Sequence, residues 1–198
     1  MQWVMASRNI HKCREVAEIL APFGITLLSL DAFPGAPEPP ENHDTFEANA
    51  IQKAESARDF TRLTAIADDS GLAVDALGGA PGVRSARFAG PGASDDDNNR
   101  LLIERLADIP DDRRTAAYLC AIALAGTDGT VRTFMGETRG RILRSPRGTG
   151  GFGYDPFFVS DDLGMTFAEA PAEQKHAVSH RGRALRALAA ALQTKGQP

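Results

Sequence analysis

The sequence has little of the material that marks secreted, membrane or disulfide-rich proteins. Its 198 residues include two cysteines, Cys13 and Cys120, which are too few for a disulfide framework and lack metal-ligand spacing. No run approaches the roughly 20 apolar residues that cross a bilayer, and residues 1–10 do not form a signal peptide. These absences favour a cytoplasmic protein without a membrane partner, folded as a single domain over residues 1–198, with both cysteines as buried free thiols.

Basic residues are fewer than acidic ones. The 22 Lys and Arg residues face 26 Asp and Glu residues, and the net charge of -4 excludes a protein that holds duplex nucleic acid mainly by charge. The charge is unevenly placed, because residues 31–47 carry five carboxylates and no Lys or Arg, whereas residues 132–147 carry five arginines and one glutamate. Either both segments are solvated surfaces, or the acidic loop holds a divalent cation and the basic groups meet an anionic substrate.

The apolar pattern predicts a mixed α/β fold. Strands are predicted at residues 3–6, 25–30, 63–67, 115–125 and 130–143, the last two as a hairpin. Helices are predicted around residues 16–20, ended by Gly24, and over residues 44–60, 94–107 and 179–193. Because strands alternate with helices early and a hairpin follows later, we expect a mixed central sheet flanked by helices, with two lobes and a ligand-binding cleft between them.

Two of these helices carry start signals. Asp44 and Glu47 form a capping-box pattern for the second helix, which follows a proline-rich loop. Ser94 precedes three aspartates, which are favourable in the first turn of the third helix. On the second helix Asn49 and Lys53 are four residues apart, so they share a face that is distinct from the apolar one.

Residues 148–153 spell a GxGxxG pattern without the context that gives it meaning. A dinucleotide fingerprint requires a strand before it and a helix after it, whereas here Pro146 precedes the glycines and Asp155-Pro156 follows them. We therefore reject the dinucleotide interpretation. The glycines still permit a tight loop that brings backbone close to a ligand. No Walker A sequence occurs, which excludes an ordinary P-loop ATPase.

A candidate phosphate-binding turn lies at residues 7–12, where a strand gives way to a helix. Backbone amides there, with Ser7, Asn9 and Lys12, can surround phosphate oxygens. The alternative is an ordinary capping turn, which also uses Ser and Asn.

A candidate cation site is formed by the adjacent carboxylates of Asp68 and Asp69. At the end of a buried strand such a pair is costly unless a cation or hydrogen bonds compensate it. Glu41 in the acidic loop can complete an oxygen-ligand Mg2+ site, with phosphate and water as further ligands. The alternative is a pair of exposed turn aspartates.

A third group combines an aromatic ring with hydrogen-bond donors. Lys175, His180 and Arg181 lie near the start of the last helix, and Phe152 offers a stacking platform. Together they can read a keto oxygen on a purine. A lone histidine is otherwise a cap or a packed side chain.

Six motifs occur in order along the chain. They are Ala6-Ser7-Arg8-Asn9 with Lys12; Phe46 with Asn49-Ala50 and Lys53-Ala54; Ile66-Ala67-Asp68-Asp69-Ser70-Gly71-Leu72; Leu77-Gly78-Gly79-Ala80-Pro81-Gly82; Gly150-Gly151-Phe152-Gly153-Tyr154-Asp155-Pro156; and Ser179-His180-Arg181-Gly182. With them the chain resembles the inosine/xanthosine triphosphate pyrophosphatases over residues 5–188, nearly its whole length.

The resemblance implies a homodimer that hydrolyses ITP, dITP and XTP to the monophosphate and pyrophosphate with Mg2+, and that has no stable nucleic-acid partner. It implies that Asp69 is the proton acceptor and a metal ligand beside Glu41, with Asp68 as a further candidate ligand. It assigns substrate contacts to Ser7, Arg8, Asn9, Ile10, His11, Lys12 and Lys53 at the triphosphate, to Ser70, and to Phe152, Gly153, Tyr154, Asp155, Lys175, His180 and Arg181 at the base.

The chain departs from the family pattern at two positions. Arg8 replaces the usual glycine of the first motif, and its guanidinium can itself contact an anion. Ala48 stands where the family commonly has Glu. Two rival functions stay open: a pyrophosphatase for other altered nucleotides such as modified pyrimidines, and a nucleotide or single-strand RNA binding module that uses Phe152 and the late arginines. The net acidity and the three carboxylates favour catalysis, since a pure anion binder gains nothing from them.

Overall fold

The computed structural model describes residues 1–37 and 41–194; the side chains of Ile10 and His11, two predicted phosphate contacts, lie outside the described part, as do Glu38 and the end of the proline-rich loop. Six strands are described: β1 Gln2–Met5, β2 Thr26–Ser29, β3 Thr64–Val74, β4 Thr115–Ala125, β5 Val131–Ile142 and β6 Phe158–Ser160. Five α-helices are described: α1 Ile10–Leu20, α2 Phe46–Thr61, α3 Asp95–Arg105, α4 Ala172–Val178 and α5 His180–Gln193.

The strands form one mixed sheet in the order β2-β1-β3-β4-β5-β6. β1 pairs in parallel with both β2 and β3, whereas β5 and β6 are antiparallel. Helix α1 packs against β2, and helix α2 packs against β1. The predicted mixed α/β class is therefore confirmed. The cleft between two lobes stays a prediction.

The chain divides into two compact units, each made of several segments. The first unit contains Met1–Asp69, Cys120–Gly136 and the chain from Ala184 onward; the second contains Ser70–Leu119 and Glu137–Arg183. Strands β3, β4 and β5 and helix α5 each continue from one unit into the other. For this reason no linker could be read from the sequence.

The core of the first unit lies on both faces of β1. Trp3 and Met5 point into one apolar cluster and Val4 into another, as the two-residue period of a strand requires. Leu20 of α1 and Leu188 of α5 are buried in the first cluster, which confirms the apolar stripes predicted for both helices. Cys120 is buried there as predicted.

The core of the second unit is aromatic. The Tyr118 ring meets the Phe158 ring edge-on at 4.7 Å between centroids and stacks on the Phe167 ring at 5.8 Å. Leu102 and Leu106, at the end of α3, pack into the same cluster. Tyr154, in the loop between β5 and β6, and Phe158, the first residue of β6, belong to this cluster and anchor the end of the loop in the core.

Several predicted details differ from the structure. The N-cap of α2 is Thr45, whose hydroxyl accepts from the Ala48 amide, so the cap predicted at Asp44 is wrong by one residue. The Glu47 carboxylate accepts a hydrogen bond from the hydroxyl of Thr133, which lies on β5 in another chain segment of the first unit. Cys13 is only partly buried, because one side of α1 faces solvent. The capping box predicted at Ser94 is confirmed, with Asp97 as its partner.

Strand β3 is longer than predicted. The strand predicted for residues 63–67 was to end at Asp68, but it runs on to Val74, so Asp68 and Asp69 lie inside a buried strand and not in a turn. Charged partners on neighbouring elements make this possible. Helix α4 and strand β6 were not predicted, since both are short and lack a clear period. Among the described residues no helix is long and apolar enough to span a membrane.

Arg114 is buried at 1% exposure and holds three backbone carbonyls of the second unit. Its guanidinium donates to Leu106 O at 2.6 Å, Ile142 O at 2.9 Å and Leu143 O at 3.0 Å. The Leu106 carbonyl lies at the C-terminal end of α3, and the carbonyls of Ile142 and Leu143 lie at the end of β5. Burial lowers the pKa of Arg114. The side chain thus replaces water for acceptors that the fold has removed from solvent.

Arg114→Met keeps an unbranched, flexible side chain and leaves these carbonyls without a donor. We expect the free energy of unfolding to fall by about 3 kcal/mol. Urea denaturation measures this as a lower midpoint with an unchanged slope. Arg113→Met, an exposed neighbour, should change stability by less than about 0.5 kcal/mol. Equal effects of the two substitutions would contradict this role for Arg114.

Candidate functional site

The first unit contains a cavity of about 310 Å³ beside the turn that joins β1 to α1. Its lining residues are Ala6, Ser7, Arg8, Lys12, Leu30, Glu41, Lys53 and Asp68. The turn is held by its own side chains: Ser7 Oγ accepts from the Asn9 amide at 3.1 Å, and Asn9 Oδ1 accepts from the Lys12 amide at 3.2 Å. The capping role that the sequence allowed for Ser7 and Asn9 is therefore present, and it shapes one wall of the cavity.

Lys12 brings positive charge to the cavity wall. Its ammonium lies 3.0 Å from both carboxylate oxygens of Asp68, whose side chain is almost completely buried. Helix α1 supplies the lysine and β3 the aspartate. The pair joins the candidate phosphate-binding turn to the strand that carries the candidate metal ligands.

Lys53 makes the central contact of this unit. Its ammonium donates to Glu41 Oε1 at 2.8 Å and to Asp69 Oδ1 at 2.9 Å. The other oxygen of Asp69 accepts from Asn49 Nδ2 at 3.1 Å, and Asn49 Oδ1 accepts from the His43 amide at 3.0 Å. The shared face predicted for Asn49 and Lys53 thus points at one carboxylate and fixes both of its oxygens.

Burial and charge act in opposite directions on these groups. Burial raises the pKa of Asp69, and the nearby Lys53 ammonium and the Asn49 hydrogen bond offset this only in part, so the pKa stays raised. For Lys53, burial lowers the pKa, but the Asp69 and Glu41 carboxylates outweigh it and the pKa is raised. Lys53 therefore stays charged at neutral pH.

The carboxylate oxygens in this unit suit a hard divalent cation that also binds oxygen atoms of a substrate. Glu41, Asp68 and Asp69 offer carboxylate oxygens, although within residues 1–37 and 41–194 no three Asp, Glu, His or Cys side chains are grouped so that they could hold a metal ion by themselves. Mg2+ is commonly held by one or two carboxylates while phosphate oxygens and water complete its octahedron. A partial set of ligands beside two ammonium groups fits that mode.

Arg8 lines the cavity and also contacts the acidic segment. Its Nη2 donates to Ala36 O at 3.1 Å, and its Nε lies 3.3 Å from the Asp31 carboxylate. The guanidinium is thus bound to the acidic segment. Sequence reasoning missed Asp31 as its partner, although the excess of acid in that segment was visible.

In the second unit Asp155 is the hub of the residues predicted for base recognition. The carboxylate is 3% exposed. One oxygen accepts from the Phe152 amide at 2.9 Å and from the Lys175 ammonium, and the other accepts from the Tyr118 hydroxyl at 3.3 Å. A Cβ at Gly151 would overlap this carboxylate, so the loop needs glycine there. Sequence reasoning did not identify Tyr118. The only signal for this residue was its inward-facing position on the strand predicted for residues 115–125.

Phe152 is the exposed aromatic of this unit. Its side chain is 64% exposed, so the face of the ring can be reached by a ligand. The Lys175 ammonium lies 4.9 Å from its ring centroid and 5.4 Å from that of Phe167. Lys175 lies near the start of the last helix, as predicted, and belongs to the short helix α4 that precedes it.

His180 and Arg181 begin α5 and are both nearly buried. The His180 ring stacks on the Tyr118 ring at 4.8 Å between centroids and 9° between planes. Arg181 Nη2 donates to Ser70 Oγ at 3.4 Å, so two residues separated by much of the chain meet within this unit. The second unit thus brings together a ring, an ammonium, a guanidinium and a histidine.

The arginine-rich segment is bound to the protein itself. Arg144 donates to Asp111 at 2.7 Å and to two backbone carbonyls, Arg139 pairs with Glu137, and the Arg132 guanidinium lies over the Phe134 ring. These contacts favour the interpretation of this segment as a surface. The GxGxxG residues lie in turns between β5 and β6, without the strand and helix of a dinucleotide site, which confirms that rejection.

Comparisons with known proteins agree with the order of the motifs. A sequence model of the Ham1 family matches residues 3–191. The dITP/XTP pyrophosphatase of Geobacter sulfurreducens is 56% identical over 185 residues, which cover 93% of each chain. The dITP/XTP pyrophosphatase of Desulforamulus reducens is 49% identical over 186 residues, covering 94% of this chain and 92% of that one.

Solved structures agree with the fold. The Ham1 protein of Staphylococcus aureus superposes with a TM-score of 0.92 at 36% identity, covering 98% of this chain and all of the other. A structure titled nucleoside-triphosphatase / dITP/XTP pyrophosphatase, from Mycobacterium abscessus, gives a TM-score of 0.82 at 46% identity, covering 95% of this chain and 97% of that one.

Proposed function

The chain belongs to the Ham1 family, and from that premise we propose that it hydrolyses the non-standard purine nucleoside triphosphates ITP, dITP and XTP to the monophosphate and pyrophosphate. Relatives about half identical over nearly the whole chain are named dITP/XTP pyrophosphatases. The observation that carries the proposal is the contact of the Lys53 ammonium with both Glu41 and Asp69 beside the cavity. Hydrolysis of a phosphoanhydride needs this mixture of carboxylates and fixed positive charge.

The first unit would carry out the hydrolysis. Lys12 and Lys53 would offset charge on the phosphate oxygens as the bond between the α- and β-phosphates breaks. Asp69 would orient a water molecule toward the α-phosphorus and accept its proton, since Asn49 and Lys53 hold the two carboxylate oxygens in place. The residues of the turn at Ser7 would donate backbone amides to the phosphate chain.

Mg2+ is the proposed cofactor, with Glu41 and Asp69 as ligands and Asp68 as a further candidate. When bound, it would supply charge neutralisation and hold phosphate oxygens in a fixed geometry. The proposal rests on the carboxylate oxygens of Glu41 and Asp68 in the cavity lining and of Asp69, which contacts Lys53 beside them.

The second unit would recognise the base. Hypoxanthine and xanthine present a keto oxygen that can accept from donors such as Lys175 and Arg181, whereas adenine presents an amino group there and offers them no acceptor. Phe152, with most of its ring in solvent, would stack on the base. A homodimer belongs to the same proposal and rests on the family resemblance. A cytoplasmic location and the lack of a stable nucleic-acid partner also belong to it, and they rest on the composition of the sequence.

Substrate choice tests the function directly. With Mg2+ present, purified protein should release pyrophosphate from ITP, dITP and XTP with kcat/KM at least about 100-fold above that for ATP, because adenine offers these donors no acceptor. Ion chromatography identifies the released species. Orthophosphate as the product, or equal use of ATP, would contradict the proposal. Preferential use of a modified pyrimidine triphosphate would favour the rival pyrophosphatase, and binding without turnover would favour a binding module.

Asp69→Asn tests the proton acceptor. We expect kcat for ITP to fall by at least about 100-fold, since an amide cannot take the proton, while circular dichroism and the melting temperature show an intact fold. Asp59→Asn, an exposed carboxylate of α2, is the matched control and should keep normal turnover. Activity near normal in the Asp69 variant would remove that residue from its role.

Removal of metal tests the cofactor. EDTA should abolish pyrophosphate release and added Mg2+ should restore it. Glu41→Gln should raise the Mg2+ concentration for half-maximal activity by about 10-fold or more, because the amide is a weaker ligand. Glu55→Gln changes a carboxylate of α2 that pairs with Arg58 and should leave the Mg2+ requirement unchanged. Full activity in EDTA would overturn the metal proposal.

A further inference from the structure

Two side chains of helix α3 bind the backbone amide and the backbone carbonyl of Gly153. Asp95 Oδ2 accepts from the Gly153 amide at 2.7 Å, and Asn99 Nδ2 donates to the Gly153 carbonyl at 2.9 Å. Both backbone groups of a single loop residue are thus satisfied by side chains, at a glycine with φ of 60°. The two side chains are four residues apart on α3 and therefore share one face of the helix.

Helix α3 is a rigid support for this contact. Its first turn is fixed by the capping box of Ser94 and Asp97, and Leu102 anchors its other end in the apolar core. Between them, Asn98 accepts from the Ala89 amide at 2.8 Å and donates to the Ala86 carbonyl. Asp95 and Asn99 therefore project from an element that is tied down on several sides.

The loop that they hold carries the residues assigned to the base. Phe152 and Tyr154 flank Gly153, and the Phe152 amide is bound by Asp155. Tyr154 is buried, and its hydroxyl donates to Ser85 O at 2.8 Å. Successive backbone and side-chain groups of this loop are thus fixed, while the Phe152 ring alone among these residues is left largely in solvent.

Asn99 is kept at some cost to stability. It is 8% exposed, and its Oδ1 has no hydrogen-bond partner in the part of the chain that the structure describes. A buried acceptor without a donor destabilises a fold. The bond to Gly153 is the contact that an apolar side chain at this position could not make.

We propose that Asp95 and Asn99 are positioning residues for base recognition, which hold Gly153 so that the Phe152 ring is pre-oriented for stacking on the purine. The inference rests on the proposed function and adds residues to its base-binding part. Holding a loop in its bound conformation lowers the entropy lost on binding. Loss of the contact should therefore weaken capture of the base and change the hydrolytic step little.

Four single variants test this with ITP kinetics. Asp95→Ala removes the acceptor and Asn99→Ala removes the donor; each should raise KM for ITP by about 10-fold while kcat changes by less than about 3-fold. Asp95→Asn keeps an acceptor oxygen without the charge and should restore KM to near the wild-type value. Asp96→Ala removes the same charge from the same turn without a contact to Gly153, and its KM should match wild type.

Hydrogen–deuterium exchange provides a readout that does not depend on turnover. Amides of residues 148–156 should exchange faster in Asp95→Ala and Asn99→Ala than in wild type and in Asp96→Ala, while amides of β4 keep their protection. Unchanged exchange in this loop would overturn the proposal. Lost protection in β4 as well would also overturn it, since the two residues would then support the whole unit.

The two proposals fail in different ways. If the wild-type chain does not hydrolyse ITP, the proposed function fails, and loop exchange still decides whether α3 holds Gly153. If wild type is active and KM is unchanged in both alanine variants, the positioning role fails and the function stands. A KM defect in Asp95→Asn or Asp96→Ala equal to that in Asp95→Ala would assign the effect to charge and overturn the hydrogen-bond account.

Discussion

Two buried aspartates on one strand set the electrostatic constraint around which the first unit is built. Asp68 and Asp69 are 4% and 7% exposed, and a buried carboxylate is costly unless positive charge or hydrogen bonds lie beside it. Two helices meet this need, because Lys12 of α1 reaches Asp68 and Lys53 of α2 reaches Asp69. The placement of both helices against the sheet is therefore tied to the same pair of charges.

Elements whose pattern is local could be predicted from the sequence. The alternation in β1, the apolar stripe of α5 and the capping box of α3 each depend on residues a few positions apart. The end of β3 could not be predicted in this way. A strand that runs through Asp68 and Asp69 is stable only because lysines 56 and 16 residues away along the chain reach them, and no local pattern contains that information.

The motifs identified the candidate site residues but not how these residues are arranged. The motifs named Asp155, Lys175 and Phe152, but not that the first is a buried hub for the other two and for Tyr118. Nor did they indicate that Arg8 would bind the acidic segment. Lys175 and Tyr118 lie 20 and 37 residues from Asp155 along the chain, so no local pattern contains these contacts.

The assignment of the site residues to the two units has a consequence for how such a protein can change. The side chains assigned to the phosphates and the metal lie in the first unit, whereas those assigned to the base lie in the second, together with Ser70, which is assigned only to the substrate. If the proposed assignment is correct, substitutions around Phe152 and Lys175 would change base preference and leave the ion pairs of Lys53 with Glu41 and Asp69 in place. A lineage, or an engineer, can retarget the chain to another damaged nucleotide while inheriting its hydrolytic chemistry intact.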